Sequence, residues 1–165
     1  MNNLTRSRDI LKNVGINLLS EGKTIRIKAH GYSMYPCIKP GSIILIEPLK
    51  LKGLPVPGEI IAIRRENGLV VHRLTRIIRK NNTDYYIARG DSNAWVDNPV
   101  KIGMIAGRII RAETSGENQV LADIRIKKPN YFLNRMRVIG IIILKKIKDK
   151  SIMKKIKDKS KKIIG

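Results

Sequence analysis

The chain has few of the residues that mark disulfide-rich and metal-cluster proteins. It contains one cysteine, Cys37, and one tryptophan among its 165 residues. A single cysteine excludes an intramolecular disulfide and any cysteine-based metal cluster, and it suits a reducing compartment. We expect no metal and no cofactor. Because aromatic residues make up only 4% of the chain, its core must consist mainly of Ile, Leu and Val.

Long apolar runs are also missing. The N-terminal sequence MNNLTRSRDILKNVG lacks the apolar stretch of a secretory signal. The longest apolar run near the C-terminus is VIGIIIL, residues 138–144, whereas a helix needs about 20 residues to cross a bilayer. We expect neither a signal peptide nor a full transmembrane helix. The expected location is therefore cytoplasmic or peripheral to a membrane.

Acidic residues are scarce, and the resulting positive charge is unevenly distributed. The chain has 34 Lys and Arg against 13 Asp and Glu, a formal net charge of +21. Residues 124–165 alone hold 15 Lys and Arg against two Asp, or +13. A basic tail of this kind favours an anionic partner, either a phospholipid surface or, as a second option, nucleic acid.

The apolar pattern divides the chain into three parts. Apolar residues at helical spacing predict a short amphipathic helix over residues 6–20, within an N-terminal segment of residues 1–21. Residues 22–115 contain short β-branched runs separated by Gly, Pro and Asn, which predict a mainly β domain of about six strands. Within it, ENG at residues 66–68 reads as a hairpin turn.

Residues 116–165 form the predicted basic C-terminal tail. Its second half combines regularly spaced apolar residues with Lys and Arg, and KKIKDKS occurs at 145–151 and again at 154–160. One interpretation is a basic amphipathic helix that lies in a membrane interface or packs along a partner. The other is a solvated and partly frayed tail.

A candidate nucleophile lies in the stretch HGYSMYP, residues 30–36. Serine is a weak nucleophile that needs a base within hydrogen-bond reach, and the chain has only two histidines, His30 and His72. In an alternating strand, His72 shares one face with Val70 and Leu74. A lone strand histidine is more often a packed or surface residue than a base. Asp91, in the GDSN sequence, is by itself typical of a turn.

The order of these blocks resembles the signal peptidase I family, in its endoplasmic-reticulum-type branch. The matching blocks are GYSMYP, GEIIAIRR, VVHRL, ARGDSN followed by a further Asp after three intervening residues, and AGRII, over roughly residues 24–112. The resemblance implies a signal-peptidase/LexA-like β fold and a serine endopeptidase that forms an acyl-enzyme. Its substrates would be extended precursor peptides cleaved after small residues. In this resemblance Ser33 is the nucleophile, His72 the general base and Asp97 the catalytic carboxylate.

The same resemblance assigns supporting roles to neighbouring residues. Asp91, with Gly90 before it, matches a structural carboxylate, and Arg73 follows the base as in the family's His-Arg pair. Gly31 permits the backbone to approach closely just before Ser33. Pro36 restricts the backbone conformation just after it. The backbone N–H of Ser33 would be an oxyanion donor. Met34 either lines the substrate groove or belongs to the core.

The chain departs from the family pattern at two positions in this block. Gly41-Ser42 stands where the family has Gly-Asp, and Gly31 occupies a position at which some members carry a hydroxyl that serves as a second oxyanion donor. The family's N-terminal membrane anchor is not recognisable either. We expect the basic tail to take its place as a peripheral anchor, because each Lys or Arg near an anionic surface contributes about 1 kcal/mol.

Two other functions fit parts of the sequence. A LexA-type self-cleaving peptidase also uses a serine on this fold, but its base is a lysine, where this chain has His72, and its regulators carry a DNA-binding helix-turn-helix. A non-catalytic basic protein would instead use the β domain as a scaffold and the tail for binding a membrane or nucleic acid.

Overall fold

The computed structural model describes residues 14–51, 53–66, 68–114, 117–120 and 129–164, with the backbone alone for residues 117–120 and 153–164. Residues 14–20 are helical and form α1. The first part of the helix predicted over residues 6–20 lies outside the described residues, as does residue 67 of the predicted hairpin turn. So do residues 121–128, at the start of the predicted tail.

The fold is mainly β, as the sequence predicted. The strands are β1 (Ile25–Lys28), β2 (Ile43–Glu47), β3 (Ile60–Arg65), β4 (Gly68–Lys80), β5 (Thr83–Arg89), β6 (Val100–Lys101), β7 (Ile105–Thr114) and β8 (Glu117–Val120). They form one sheet in the order β1-β2-β7-β3-β4-β5-β6, with β8 paired to β7. Every pairing is antiparallel. Short 3-10 helices span Leu49–Leu51 and Ile102–Met104.

Strand β7 organises the sheet, because it pairs with β2 on one edge and with β3 and then β8 on the other. Its approach to β2 requires a glycine. A Cβ on Gly107 would lie 2.4 Å from the carbonyl oxygen of Glu47, too close for any side chain. The register of the β2–β7 pairing also shifts nearby, between Leu45 and Ile46, where Ile110 is an extra residue of β7. A bulge here bends the strand and increases its twist.

Strand β3 is buried on both faces, which explains its continuous apolar sequence. Ile60 and Ala62 join one core cluster, which includes residues of β1, β2, β7 and α1. Ile61 and Ile63 join a second cluster with residues of β4, β5, β6 and the start of β7. Since successive side chains of a strand point to opposite faces, the single strand links the two halves of the core.

A long helix, α2 (Tyr131–Ile164), follows the sheet. The side chain of Asn130 caps its start, since the N–H of Leu133 donates to Asn130 Oδ1 at 3.0 Å. The helix is 34 residues long, or about 51 Å, and every side chain from 142 to 152 is exposed. Across the described ranges, no helix is both long enough and apolar enough to span a bilayer.

Two short strands were not foreseen. β6 has only two residues, too few to show alternation. β8 pairs with Arg111–Thr114 of β7, so the sheet continues beyond residue 115, where the sequence pattern placed the end of the β domain.

Candidate active site

His72 and Asp97 form a direct pair between β4 and the loop that follows β5. His72 lies in β4 and is 7% exposed. Its Nδ1 is 2.6 Å from Oδ2 of Asp97, in the loop of residues 90–99 between β5 and β6, here called the aspartate loop. The N–H of Asp97 donates to the carbonyl of Ala88 at 2.8 Å, which fixes the backbone beside the pair. An ionised carboxylate only accepts hydrogen bonds, so in a pair with it Nδ1 is the donor, and in the neutral imidazole the lone pair then lies on Nε2.

Ser33 lies in the loop of residues 29–42 between β1 and β2, here called the serine loop. Two hydrogen bonds join this loop to the aspartate loop. The N–H of Ser92 donates to the carbonyl of Ser33 at 2.9 Å, and Ser92 Oγ donates to the carbonyl of Tyr32 at 2.6 Å. The candidate nucleophile is therefore fixed by its backbone to the loop that carries Asp97.

Gly90 is needed where the two loops meet. A Cβ at this position would lie 2.7 Å from the carbonyl oxygen of Ser33 and 2.8 Å from the Asn93 side chain. Real Cβ atoms essentially never come within 3.0 Å of such neighbours. The supporting role predicted for Gly90 thus has a steric basis.

Asp91 and Arg73 form a buried ion pair beneath the loops. Arg73 Nε donates to Oδ1 at 2.8 Å and Nη2 to Oδ2 at 2.7 Å, while Nη1 donates to the carbonyl of Gly58 at 2.9 Å. Burial lowers the pKa of Arg73, but its hydrogen bonds and charge attraction to Asp91 outweigh burial and raise it above the usual arginine value. The bidentate geometry satisfies both carboxylate oxygens, which fits the structural role predicted for Asp91.

Cys37 also contacts this ion pair, a neighbour that sequence reasoning missed. Burial raises the pKa of its thiol, against the smaller opposing effect of the Arg73 charge. A thiol with a raised pKa stays protonated at neutral pH and is a poor nucleophile. Cys37 is therefore no rival to Ser33 as the nucleophile.

The first turns of α2 hold the aspartate loop from the other side. Asn134 is buried, and its Nδ2 donates to the carbonyl of Asp91 at 3.1 Å. The guanidinium of Arg89 lies 3.8 Å from the centre of the Tyr131 ring and donates from Nε and Nη2 to the carbonyl of Asn93. Sequence reasoning missed Asn134 and Tyr131. The one available signal was the placement of a polar Asn within an otherwise apolar helical pattern.

These elements border an open cavity of about 500 Å³. Ser33 and Asp97 both line it, and α2 supplies a further wall. The other lining residues are Tyr32, Ser92, Asn93, Ala94, Trp95, Val96, Arg135, Val138 and Ile139. The cavity thus brings together the serine loop, the aspartate loop and the C-terminal helix.

The remaining predicted groove residues lie elsewhere. Met34 is 4% exposed and packs in the core cluster, so its side chain fits the core alternative and is not part of the cavity lining. Pro36 is exposed. Gly31 adopts a φ of +79°, a left-handed conformation that favours glycine. His30 is exposed, whereas His72 is buried beside Asp97.

Ser42, the residue that replaces the family's Asp, makes a different contact. It is 1% exposed, and its Oγ lies 2.7 Å from Thr114 Oγ1 in β7. A pair of hydroxyls therefore joins the end of the serine loop to the central strand, and no charge is needed there.

One contact of the expected arrangement is not formed. Among the contacts of the described residues, no hydrogen bond joins Ser33 Oγ to His72. Within the same residues, no three His, Cys, Asp or Glu side chains cluster as metal ligands would.

Neither protein-family models nor curated proteins gave a match to this chain when they were compared with it.

Proposed function

We propose that the protein is a serine endopeptidase of the signal peptidase I type, in which Ser33 is the nucleophile, His72 the general base and Asp97 the carboxylate that orients the base. One observation carries the proposal. His72 Nδ1 pairs with Asp97 Oδ2 at 2.6 Å, and Asp97 shares its cavity with Ser33. A histidine base oriented by a carboxylate is the part of the Ser-His-Asp arrangement that prepares a serine for acyl transfer.

The chemistry follows from the tautomer of His72. With the proton on Nδ1 held by Asp97, Nε2 is free to accept the proton of Ser33 Oγ as that oxygen attacks the substrate carbonyl. The C–N bond then breaks and the imidazolium returns the proton to the leaving amine. Water, deprotonated by the same nitrogen, hydrolyses the ester and regenerates Ser33. Asp97 stabilises the imidazolium throughout and does not itself take the proton.

Substrate binding is the step at which we expect the missing Ser33–His72 contact to form. Catalytic hydrogen bonds are often long or poorly aligned without substrate and shorten in the complex. The carbonyl of Ser33 is already fixed by Ser92, so the backbone that carries the candidate nucleophile is held in place before substrate binds. The backbone N–H of Ser33 is the proposed oxyanion donor.

The substrate class comes from the family resemblance. We propose an extended precursor peptide with small residues at the −3 and −1 positions before the scissile bond. The open cavity, walled by two loops and a helix, supports the binding of an extended chain.

The test is cleavage of such peptides, followed by mass spectrometry of the products. Ser33→Ala and His72→Ala should each abolish turnover. His30→Ala is the matched control, because His30 is the other histidine of the chain and is exposed; it should cleave like the unaltered protein. Unchanged turnover in Ser33→Ala or His72→Ala would refute the assignment.

A further inference from the structure

Helix α2 presents two different faces over its first three turns. Tyr131, Asn134, Val138 and Ile141 are buried or half-buried. Their spacing of three, four and three residues places them on one side of the helix, and Asn134 and Tyr131 contact the aspartate loop and Arg89. This side is the one fixed to the domain.

A second side carries an exposed row of large apolar residues, here called the apolar stripe. It consists of Phe132, Met136, Ile139, Ile143 and Ile147, which are 75%, 48%, 38%, 51% and 59% exposed. At 3.6 residues per turn these positions fall within an arc of about 80°. Monomeric soluble proteins rarely leave a continuous apolar surface of this kind uncovered.

Cationic side chains cover the outer part of the helix, both in line with the stripe and on its other faces. Lys145, Lys146, Lys148 and Lys150 are all exposed, and Asp149 is the single acidic residue between them. An apolar row beside a dense positive charge is the pattern of helices that lie in a membrane interface.

The aspartate loop extends this surface past the helix. Trp95 is 83% exposed and Val96 is 48% exposed. Both line the candidate active-site cavity together with Ile139, which belongs to the apolar stripe. Exposed tryptophan is typical of the level of lipid headgroups, where its ring is partly apolar and partly hydrated.

We propose that the apolar stripe, together with Trp95 and Val96, docks on an anionic phospholipid surface, so that the mouth of the cavity opens at the membrane–water boundary. Acyl chains and headgroups accept the apolar row, and anionic headgroups attract the lysines. The surface is independent of the proposed chemistry, since it uses neither Ser33 nor His72.

The spacing of the stripe disfavours a second copy of the chain as the occupant. A coiled-coil seam that begins at Phe132, Met136, Ile139 and Ile143 would continue at positions 146 and 150, and both are lysines. Two such helices would also repel each other electrostatically. Nucleic acid is disfavoured because its phosphates and bases are contacted chiefly by charged and polar side chains, whereas this stripe is apolar.

The experiment is sedimentation of the full chain with vesicles of phosphatidylcholine, with and without phosphatidylglycerol. We expect binding to the anionic vesicles that weakens as salt is added. Trp95 is the only tryptophan in the chain, so its emission reports directly on the aspartate loop and should shift to shorter wavelength on binding. The double variant Phe132→Ser with Ile143→Ser should bind at least about tenfold more weakly, because two large apolar anchors are lost.

The matched control is Ile78→Ser, an exposed isoleucine of β4 that is 39% exposed and not part of the stripe. It should bind like the unaltered protein, and Ser33→Ala should too, whether or not the peptidase proposal holds. Equal binding by the double variant and the unaltered chain would overturn the proposal. So would vesicle binding without a Trp95 shift, a dimer that the double variant abolishes, or retention on duplex DNA with no affinity for vesicles.

Discussion

Asn134 donates a hydrogen bond of 3.1 Å to the carbonyl of Asp91, 43 residues earlier in the chain. The contact fastens the first turns of the C-terminal helix to the loop that also carries Asp97. Because the side chain of Asp91 is held by Arg73 at the same time, this residue joins the sheet to the helix at the edge of the candidate site.

Replacing Asn134 by Ala should loosen the aspartate loop. The change leaves the buried carbonyl of Asp91 without its partner, which costs about 1–3 kcal/mol. We expect faster hydrogen exchange of the amides in residues 90–97 and a higher KM for peptide, because α2 forms part of the cavity wall. Arg137→Ala, an exposed change on the same helix, should alter neither quantity. Unaltered exchange in Asn134→Ala would show that the loop does not depend on the helix.

Replacing Gly90 by Ala should separate the serine loop from the aspartate loop. The added methyl would meet the Ser33 carbonyl and the Asn93 side chain at distances below 3.0 Å, and overpacking of this kind costs about 1–3 kcal/mol. We expect lower kcat/KM and a lower Tm. Gly103→Ala is the control, since a Cβ at position 103 has no neighbour within 4 Å. If both variants behaved alike, the close approach of the loops would not matter for activity.

Replacing Asp97 by Asn should lower kcat by about ten-thousandfold, the loss known for this change in a Ser-His-Asp triad, and leave stability nearly unchanged. The amide nitrogen of Asn can donate to Nδ1 and so favours the tautomer of His72 that cannot accept the proton of Ser33. Single-turnover peptide cleavage together with a thermal melt distinguishes the two effects. An unchanged kcat would remove Asp97 from the mechanism.

Replacing Asp91 by Asn should have the opposite balance, with a large loss of stability and a smaller effect on chemistry. Arg73 is buried, and removing the partner of a buried charge costs about 3–5 kcal/mol. Urea unfolding is the measurement. Asp84→Asn removes a carboxylate that is 45% exposed and 3.9 Å from Arg79, so its effect should stay within about 1 kcal/mol. Similar losses in both variants would contradict the structural role of Asp91.

Cys37 should make stability depend on pH in the alkaline range. Because its pKa is raised in the folded protein, the folded state holds the thiol proton more tightly than the unfolded state does. The resulting stabilisation is complete below the ordinary thiol pKa of about 8.5 and is lost as the pH rises through the folded value. The difference in the free energy of unfolding between the unaltered protein and Cys37→Ala, measured in urea, should therefore be smaller at high pH than at neutral pH. If that difference grew as the pH rose, the folded state would instead favour the thiolate.

The amino-acid sequence alone was sufficient to predict those secondary-structure elements that have a local residue pattern. Short β-branched runs separated by turn residues predicted the mainly β fold, and the prediction is confirmed. The continuous apolar sequence of β3 is explained by burial on both faces. β6, with two residues, is too short for any pattern to reveal, and β8 is recognised only through its pairing with β7.

The candidate site could be predicted only in part, because most of its contacts join distant segments. Family resemblance selected Ser33, His72 and Asp97, and the structure places Asp97 against His72 and beside the cavity that Ser33 lines. The contacts of Asn134 and Tyr131 depend on how α2 returns to the sheet. No local spacing of residues encodes that path, so the sequence pattern singled out neither residue. The position of Cys37 beside Arg73 could not be predicted for the same reason.

Every described α2 side chain from residue 142 to 152 is exposed, and this affects where insertions and deletions can be tolerated in evolution. The turns before that point complete the cavity wall, so an insertion or deletion there would rotate Arg135, Val138 and Ile139 away from the cavity. After it, whole turns of helix can be gained or lost without altering any contact with the sheet. Homologous chains should therefore keep the length of α2 from Tyr131 to Ile141 and can vary in length beyond the apolar stripe, after Ile147.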